Sequence, residues 1–200
     1  GEKIPTLQEV FDLLARYPDK NIMLNIEIKV EPESQINPSI DAFVKAVIQV
    51  VNQNDAAAKV NIQSFDWQVL ESVKNNAPNI KTAALLGQFT FKSINDSVPS
   101  IWLNGIHYEN SGGTALTMLQ EAENYVDIFS PFWQLIMPED SLFLGNTVKE
   151  LEKNGFPVIP WTINRTKIME KVILEGVDGI ITDYPDSLLM VMKKMGIKRK

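Results

Sequence analysis

The chain has 200 residues, 44% of them hydrophobic, enough to bury a sizeable single core without covalent staples. Its 25 acidic and 19 basic residues leave a net charge of -6, which argues against a nucleic-acid duplex as the main partner, and the lack of cysteine removes disulfides, thiolate zinc sites and a cysteine nucleophile. No run of about 18 apolar residues occurs, and Gly1-Glu2-Lys3 leads straight into a helix start, so the sequence as given holds neither a membrane span nor a signal-peptide pattern.

In chain order, IPTLQEVFDLLARYP predicts an amphipathic helix: Thr6 and Glu9 make a capping-box pair, Leu7, Val10, Phe11 and Leu14 fall at helical spacing, and Pro18 ends the run. NIMLNIEIKV, residues 21–30, predicts a strand with Leu24, Ile26, Ile28 and Val30 on one face and Asn25, Glu27 and Lys29 on the other. A proline-punctuated loop leads to a helix over IDAFVKAVIQVV, then KVNIQSF reads as a strand, WQVLESVKNNAP as a helix stopped at Pro78, and IKTAALL as a short apolar strand before Gly87. A longer, irregular connection from Gln88 to about Ser111 precedes a helix over ALTMLQEAENY and the strand VDIFSP. NTVKELEKNG predicts a helix capped by Asn146 and stopped at Gly155. PVIPWTIN is the next strand, Asn164 caps a helix over RTKIMEKVILEG that ends at Gly176, VDGIITD is a strand, and PDSLLMVMKKM closes the chain as a helix with Pro185 in its first turn. The basic tail KKMGIKRK reads as a solvated, frayed end.

One leading helix and six strands, each followed by a helix, predict an α/β domain over residues 1–200 with a parallel sheet covered by helices. The strand ends carry Glu27, Lys29, Ser64, Phe65, Ser130, Trp161, Asn164, Thr182 and Asp183, on the C-terminal rim where parallel α/β folds keep their sites. The polar face of NIEIK is expected to point into a barrel. An unpaired charge there would cost several kcal/mol, so its presence points to a charged ligand.

IPTLQEV, IEIK, QSF, PWTIN and GVDGIITDYP, in this order and spacing, resemble the glycerophosphodiester phosphodiesterase family from about Ile4 to Pro185. The resemblance implies a TIM-type (β/α)8 barrel that hydrolyses small glycerophosphodiesters to glycerol 3-phosphate and an alcohol, with a divalent metal, Ca2+ or Mg2+, at the rim. It implies that Glu27 is a metal ligand, that Lys29 stands beside the phosphate as a catalytic cation, and that Trp161 and Phe65 wall the substrate's glycerol or alcohol part. Each has a plainer reading: Glu27 and Lys29 neutralise each other, Lys29 snorkels at the rim, and the two aromatics pack beneath it. Asp183 orients a catalytic group or, on the favoured reading, caps the last helix.

Family members also carry a His-Arg-Gly strand, a Glu-x-Asp strand and a His-Asp step before the IPTL helix, and none of these is in this sequence. The single histidine, His107, lies in NGIHYEN, outside any family motif, and reads as a surface or loop residue. The expectation is therefore a barrel lacking its first two βα units, strands 3 to 8, whose acid/base histidines come from an N-terminal segment of the same protein or another subunit. Two alternatives remain: a non-catalytic phosphate- or metal-binding module, and a barrel of the phospholipase-D toxin type, against which IPTL and WTIN speak. VDIFSPFWQLI resembles periplasmic members more than the small cytosolic ones.

Overall fold

In the computed structural model, which describes residues 1, 3–18, 22–32, 39–95 and 97–197, strands and helices alternate as the hydrophobic spacing requires. The α-helices are α1 (Leu7–Leu14), α2 (Ile40–Gln53), α3 (Trp67–Asn76), α4 (Ala115–Glu121), α5 (Val148–Lys153), α6 (Thr166–Glu175) and α7 (Pro185–Lys194). The strands β1 (Leu24–Glu27), β2 (Val60–Ser64), β3 (Lys81–Leu86) and β4 (Ile128–Pro131) form one sheet in the order β1-β2-β3-β4, every neighbour pair parallel. Central β3 is buried at five consecutive positions, as a strand covered on both faces must be, whereas β1 alternates between half-buried and exposed residues.

Four strands are formed among the described residues where six were expected, and proline is the reason. Residues 157–163 run beside β4: Phe129 N–H donates to the Pro157 carbonyl (2.9 Å), Ile159 N–H to Phe129 (2.9 Å) and Trp161 N–H to Pro131 (3.1 Å). Residues 177–182 lie beside them in turn, with Asp178 N–H bonded to Val158 (2.9 Å), Ile181 N–H to Pro160 (3.0 Å) and Ile163 N–H to Ile181 (2.9 Å). Pro131, Pro157 and Pro160 each withhold one donor, so these segments make only the isolated parallel bridges Phe129–Val158 and Phe132–Trp161 instead of a continuous ladder. All six segments nevertheless stand side by side in chain order.

The arc is curled. Phe65 follows β2 and Trp161 lies in the segment beyond β4, three strand spacings away, which is about 14 Å across a flat sheet. Their ring centroids are 5.4 Å apart. Side chains standing upright on a flat sheet would not meet across that span, so the contact marks a sheet that curls toward the face carrying both rings.

The helices cover the outside. Phe11, Ile28, Val44, Val51, Val60, Ile62, Val69 and Val73 bury β1 and β2 against α1, α2 and α3. Trp67, Leu70, Leu86, Met118, Leu119, Phe129, Leu151 and Val158 form the largest cluster, around β3 and β4, and Met169, Val172 and Val191 join α6 to α7. At the N-terminal end of β3, Asp127 accepts from Thr82 N–H (2.7 Å) and hydroxyl (3.0 Å) and pairs with Lys74 at 2.6 Å. Burial alone would raise this carboxyl, yet those donors hold it below its ordinary value.

Several helix ends differ from expectation. The Thr6–Glu9 capping box forms, but α1 ends at Leu14, ahead of Pro18, and α4 ends at Glu121 rather than running to Tyr125. Helix α5 is capped by Thr147 in a second capping box with Glu150, while Asn146 turns away and accepts from Leu116 N–H at 2.8 Å. Asn164 does not cap α6, whose N-cap is Arg165 with no side-chain bond, and Asp183 does not cap α7, whose N-cap is Tyr184. Gly176 ends α6 in the left-handed region, φ 97°, as expected. Of the basic tail, Lys193 and Lys194 belong to α7 and residues 198–200 lie outside the described residues. No helix among the described residues is long and apolar enough to cross a membrane.

Candidate active site

The parallel register pairs Glu27 with Gln63, Gln63 with Ala83 and Ala83 with Ile128, so these four residues make one row across the inner face. Two residues further along each strand, and on the same face by the period-2 rule, come Lys29 and Phe65, with Leu85 paired to Ser130. Glu27, Lys29 and Phe65 thus share the inner face of the rim. Glu27 stands on the edge strand, which pairs with β2 on one side; among the described residues its other side has no strand partner.

Lys29 Nζ lies 3.3 Å from Glu27 Oε1, with the lysine side chain 77% and the glutamate 30% exposed. The neutralising reading of this pair is therefore realised in the structure. An exposed pair of this kind is worth only about 0.2–1 kcal/mol, too little to explain by itself two charges on an inner face. Below them Asn25 Nδ2 donates to Gln63 Oε1 (2.7 Å) and Asn61 Nδ2 to Asn25 Oδ1, a floor of amides of which the sequence reading placed only Asn25 on this face.

The aromatic side of the rim is continuous. Phe65 meets Trp161 edge-on (85°) and Trp102 at 6.4 Å, and Trp161 meets Phe132 at 5.6 Å. Trp161 is half-buried and its Nε1 donates to the Ser130 carbonyl (2.8 Å), so it is both packed at the rim and partly open on it. Trp102 enters from the 87–114 connection, which docks on α3 through Trp67 N–H to the Trp102 carbonyl (2.9 Å) and Asn104 to Glu71 (3.1 Å).

Asn164 and Asp183 bond each other instead of capping helices: Asn164 Nδ2 donates to Asp183 Oδ2 (2.7 Å), while Asn164 Oδ1 accepts from Thr182 Oγ1 (3.2 Å) and Asp183 N–H (3.0 Å). This closes the ends of residues 157–163 and 177–182 at the rim. Asp66, 1% exposed, caps α3 through Gln68 N–H (3.0 Å), and burial raises its carboxyl above the ordinary range. His107 is in the connection, as expected, but its side chain is only 14% exposed, and its Nδ1 lies 3.2 Å from Ser93 Oγ and 3.4 Å from Glu109 Oε2. Ser93 also bonds Glu109, so the ring is engaged within its own loop.

A hard divalent cation takes about six oxygen ligands. Among the described residues no three His, Asp or Glu side chains gather to hold a metal, and Glu27 stands with Lys29 rather than with a second carboxylate. These residues alone do not make a cation site.

Comparison with known proteins gives one consistent relationship. The model of the glycerophosphoryl diester phosphodiesterase family matches residues 1–187. A glycerophosphodiester phosphodiesterase of Caldanaerobacter subterraneus subsp. tengcongensis is 32% identical over 196 residues, 98% of this chain and 65% of its own length. The crystal structure of a candidate glycerophosphoryl diester phosphodiesterase from Silicibacter pomeroyi superposes on 98% of this chain and 58% of its own with a TM-score of 0.76 at 25% identity. An Oleispira antarctica phosphodiesterase, solved with its product sn-glycerol-3-phosphate, shares the fold over 95% of this chain and 62% of its own, with a TM-score of 0.64 at 17% identity. The chain thus spans just under two thirds of the Caldanaerobacter relative's length.

Proposed function

The chain belongs to the glycerophosphoryl diester phosphodiesterase family and carries that family's TIM-barrel fold, and from this premise we propose that it forms the larger part of a barrel that hydrolyses glycerophosphodiesters to glycerol 3-phosphate and an alcohol. The observation that carries the reading is the inner face of the rim, with Lys29 and Glu27 at one end and Phe65 and Trp161 at the other. Lys29 supplies a fixed positive charge beside the phosphate, where negative charge grows on the way to the transition state. Phe65 and Trp161 offer apolar faces to the carbon skeleton of the glycerol or alcohol.

The proposal extends to parts not on this face. Two βα units beside β1 would pair its outer edge, close an eight-stranded barrel and bring the acid/base histidines and further carboxylates. They would come from an N-terminal segment of the same protein or from another subunit. Glu27 would then serve as one ligand of a divalent cation, Ca2+ or Mg2+, which when bound would neutralise phosphate charge. A second reading, a phosphate- or metal-binding module without catalysis, draws support from the engagement of His107 with Ser93 and Glu109.

The two readings part on product. Incubated with glycerophosphocholine and either metal, the complete protein is expected to give sn-glycerol 3-phosphate and choline, followed by phosphorus NMR. Binding with no turnover under both metals would reject the diesterase, and phosphocholine with glycerol as the products would reject the assignment of glycerol 3-phosphate as the product.

Glu27→Gln keeps the shape and removes one charged oxygen. In calorimetric titration of the complete protein it is expected to weaken Ca2+ or Mg2+ binding by about 10-fold or more, with the metal-free melting temperature little changed because the exposed pair with Lys29 contributes at most about 1 kcal/mol. Equal metal affinity in both proteins would return Glu27 to a charge partner of Lys29 alone.

A further inference from the structure

We propose that Ser64 and Ser130 are positioning residues, two buried hydroxyls that each hold one half of the rim; the kinetic part of this inference rests on the diesterase reading above. Both are 1% exposed. The sheet ladder between β1 and β2 ends at the pair Glu27–Gln63. Just beyond it Ile28 N–H still donates to the Gln63 carbonyl (2.9 Å), and the Ser64 hydroxyl donates to the Ile28 carbonyl at 2.8 Å. The N–H belongs to the peptide link after Glu27 and the carbonyl to the link before Lys29, so the backbone carrying both charges is pinned on either side of Ile28. Ser64 Oγ in turn accepts from Asp66 N–H (3.2 Å). Its single proton is committed to Ile28, so the hydroxyl is a strut and not a nucleophile.

Ser130 does the same at the aromatic end, for a reason written in the next residue. In the alternation that takes Phe129 N–H to Pro157 and Trp161 N–H to Pro131, the donor owed to the Ile159 carbonyl is the N–H of residue 131, and proline has none. The Ser130 hydroxyl fills that place, donating to the Ile159 carbonyl at 2.7 Å. The Ser130 carbonyl also receives the Trp161 indole N–H. Ser64 therefore sets the charged half of the site and Ser130 the aromatic half. If the charged half acts on transition-state charge and the aromatic half on ground-state binding, losing each strut damages a different kinetic constant.

The test uses Ala and volume-keeping Cys variants of each serine in the complete protein with metal. Ser64→Ala and Ser64→Cys are expected to lower kcat on glycerophosphocholine by about 10- to 100-fold with KM changed less than about 3-fold. Ser130→Ala and Ser130→Cys are expected to raise KM about 10-fold with kcat held within about 3-fold. Amide hydrogen exchange gives a readout independent of activity: the Ser64 variants speed exchange at Ile28 and not at Trp161, and the Ser130 variants do the reverse. If an alanine variant fails to fold, its cysteine counterpart carries the comparison. A wild-type protein that turns over no glycerophosphodiester would reject the family activity, while the exchange pattern still decides whether the serines hold their segments. The same kinetic change from both pairs, no change from either, or exchange rising evenly at both segments overturns the proposal.

Discussion

Lys29→Met in the complete protein is expected to lower kcat on glycerophosphocholine by about 100- to 1,000-fold, the loss seen when one fixed donor to developing transition-state charge is removed. The fold should hardly respond. Lys29 is 77% exposed and its described partner is Glu27 at 3.3 Å, a pair worth about 0.2–1 kcal/mol, and for a chain of this size 1 kcal/mol moves the melting temperature by only about 2–4 °C. Methionine keeps the apolar stem, so the lost packing is slight. Turnover and thermal unfolding measured on the same preparation separate the two roles. A melting temperature that collapses while kcat per folded molecule stays near wild type would make Lys29 a structural ion-pair partner and remove it from the chemistry.

The alternation of strand and helix is legible because two periods are present in the sequence, 2.0 in LNIEIKV and 3.6 in IDAFVKAVIQVV, and β1 and α2 follow them. The pairing of Glu27 with Lys29 is legible for the same reason: residues two apart on a strand share a face. The continuity of the last two strands is not, since apolar content marks 157–163 and 177–182 as extended while Pro131, Pro157 and Pro160 decide that no full ladder forms. Helix caps are partly legible. Thr147-x-x-Glu150 is a capping-box signature in plain view, and the preference for Asn146 passes over it. Asn164 and Asp183 look like caps by residue type, yet their side chains have a tertiary alternative in each other, which no local pattern contains.

Least legible are contacts between residues far apart in the chain. Nothing local says that Phe65 meets Trp161, because that contact depends on the curl of the whole sheet. The burial of His107 against Ser93 and Glu109 is set by the fold of the 87–114 connection, which carries no regular period. The serine struts do leave a trace: Ser130 stands directly before a proline at a strand end, where a carbonyl across the ladder lacks a donor.

The second large effect concerns the 200-residue chain by itself, which is expected to show little or no diesterase activity. The outer edge of β1 has no strand partner among the described residues, and an unpaired edge beside Glu27 leaves the charged half of the rim without a wall. The only histidine in the sequence is His107, engaged within its own connection. A general acid and a general base each contribute about 100- to 10,000-fold, so a rim without them retains only positioning and charge. Release of sn-glycerol 3-phosphate from glycerophosphocholine should therefore be measured for the isolated chain, for the chain with an N-terminal piece carrying two βα units added in trans, and for the complete protein. The predicted result is release by the complete protein, partial recovery with the added piece, and about 1,000-fold less or none from the chain alone; full activity from the isolated, monomeric chain would contradict both the open-barrel account and the assignment of its acid/base groups elsewhere.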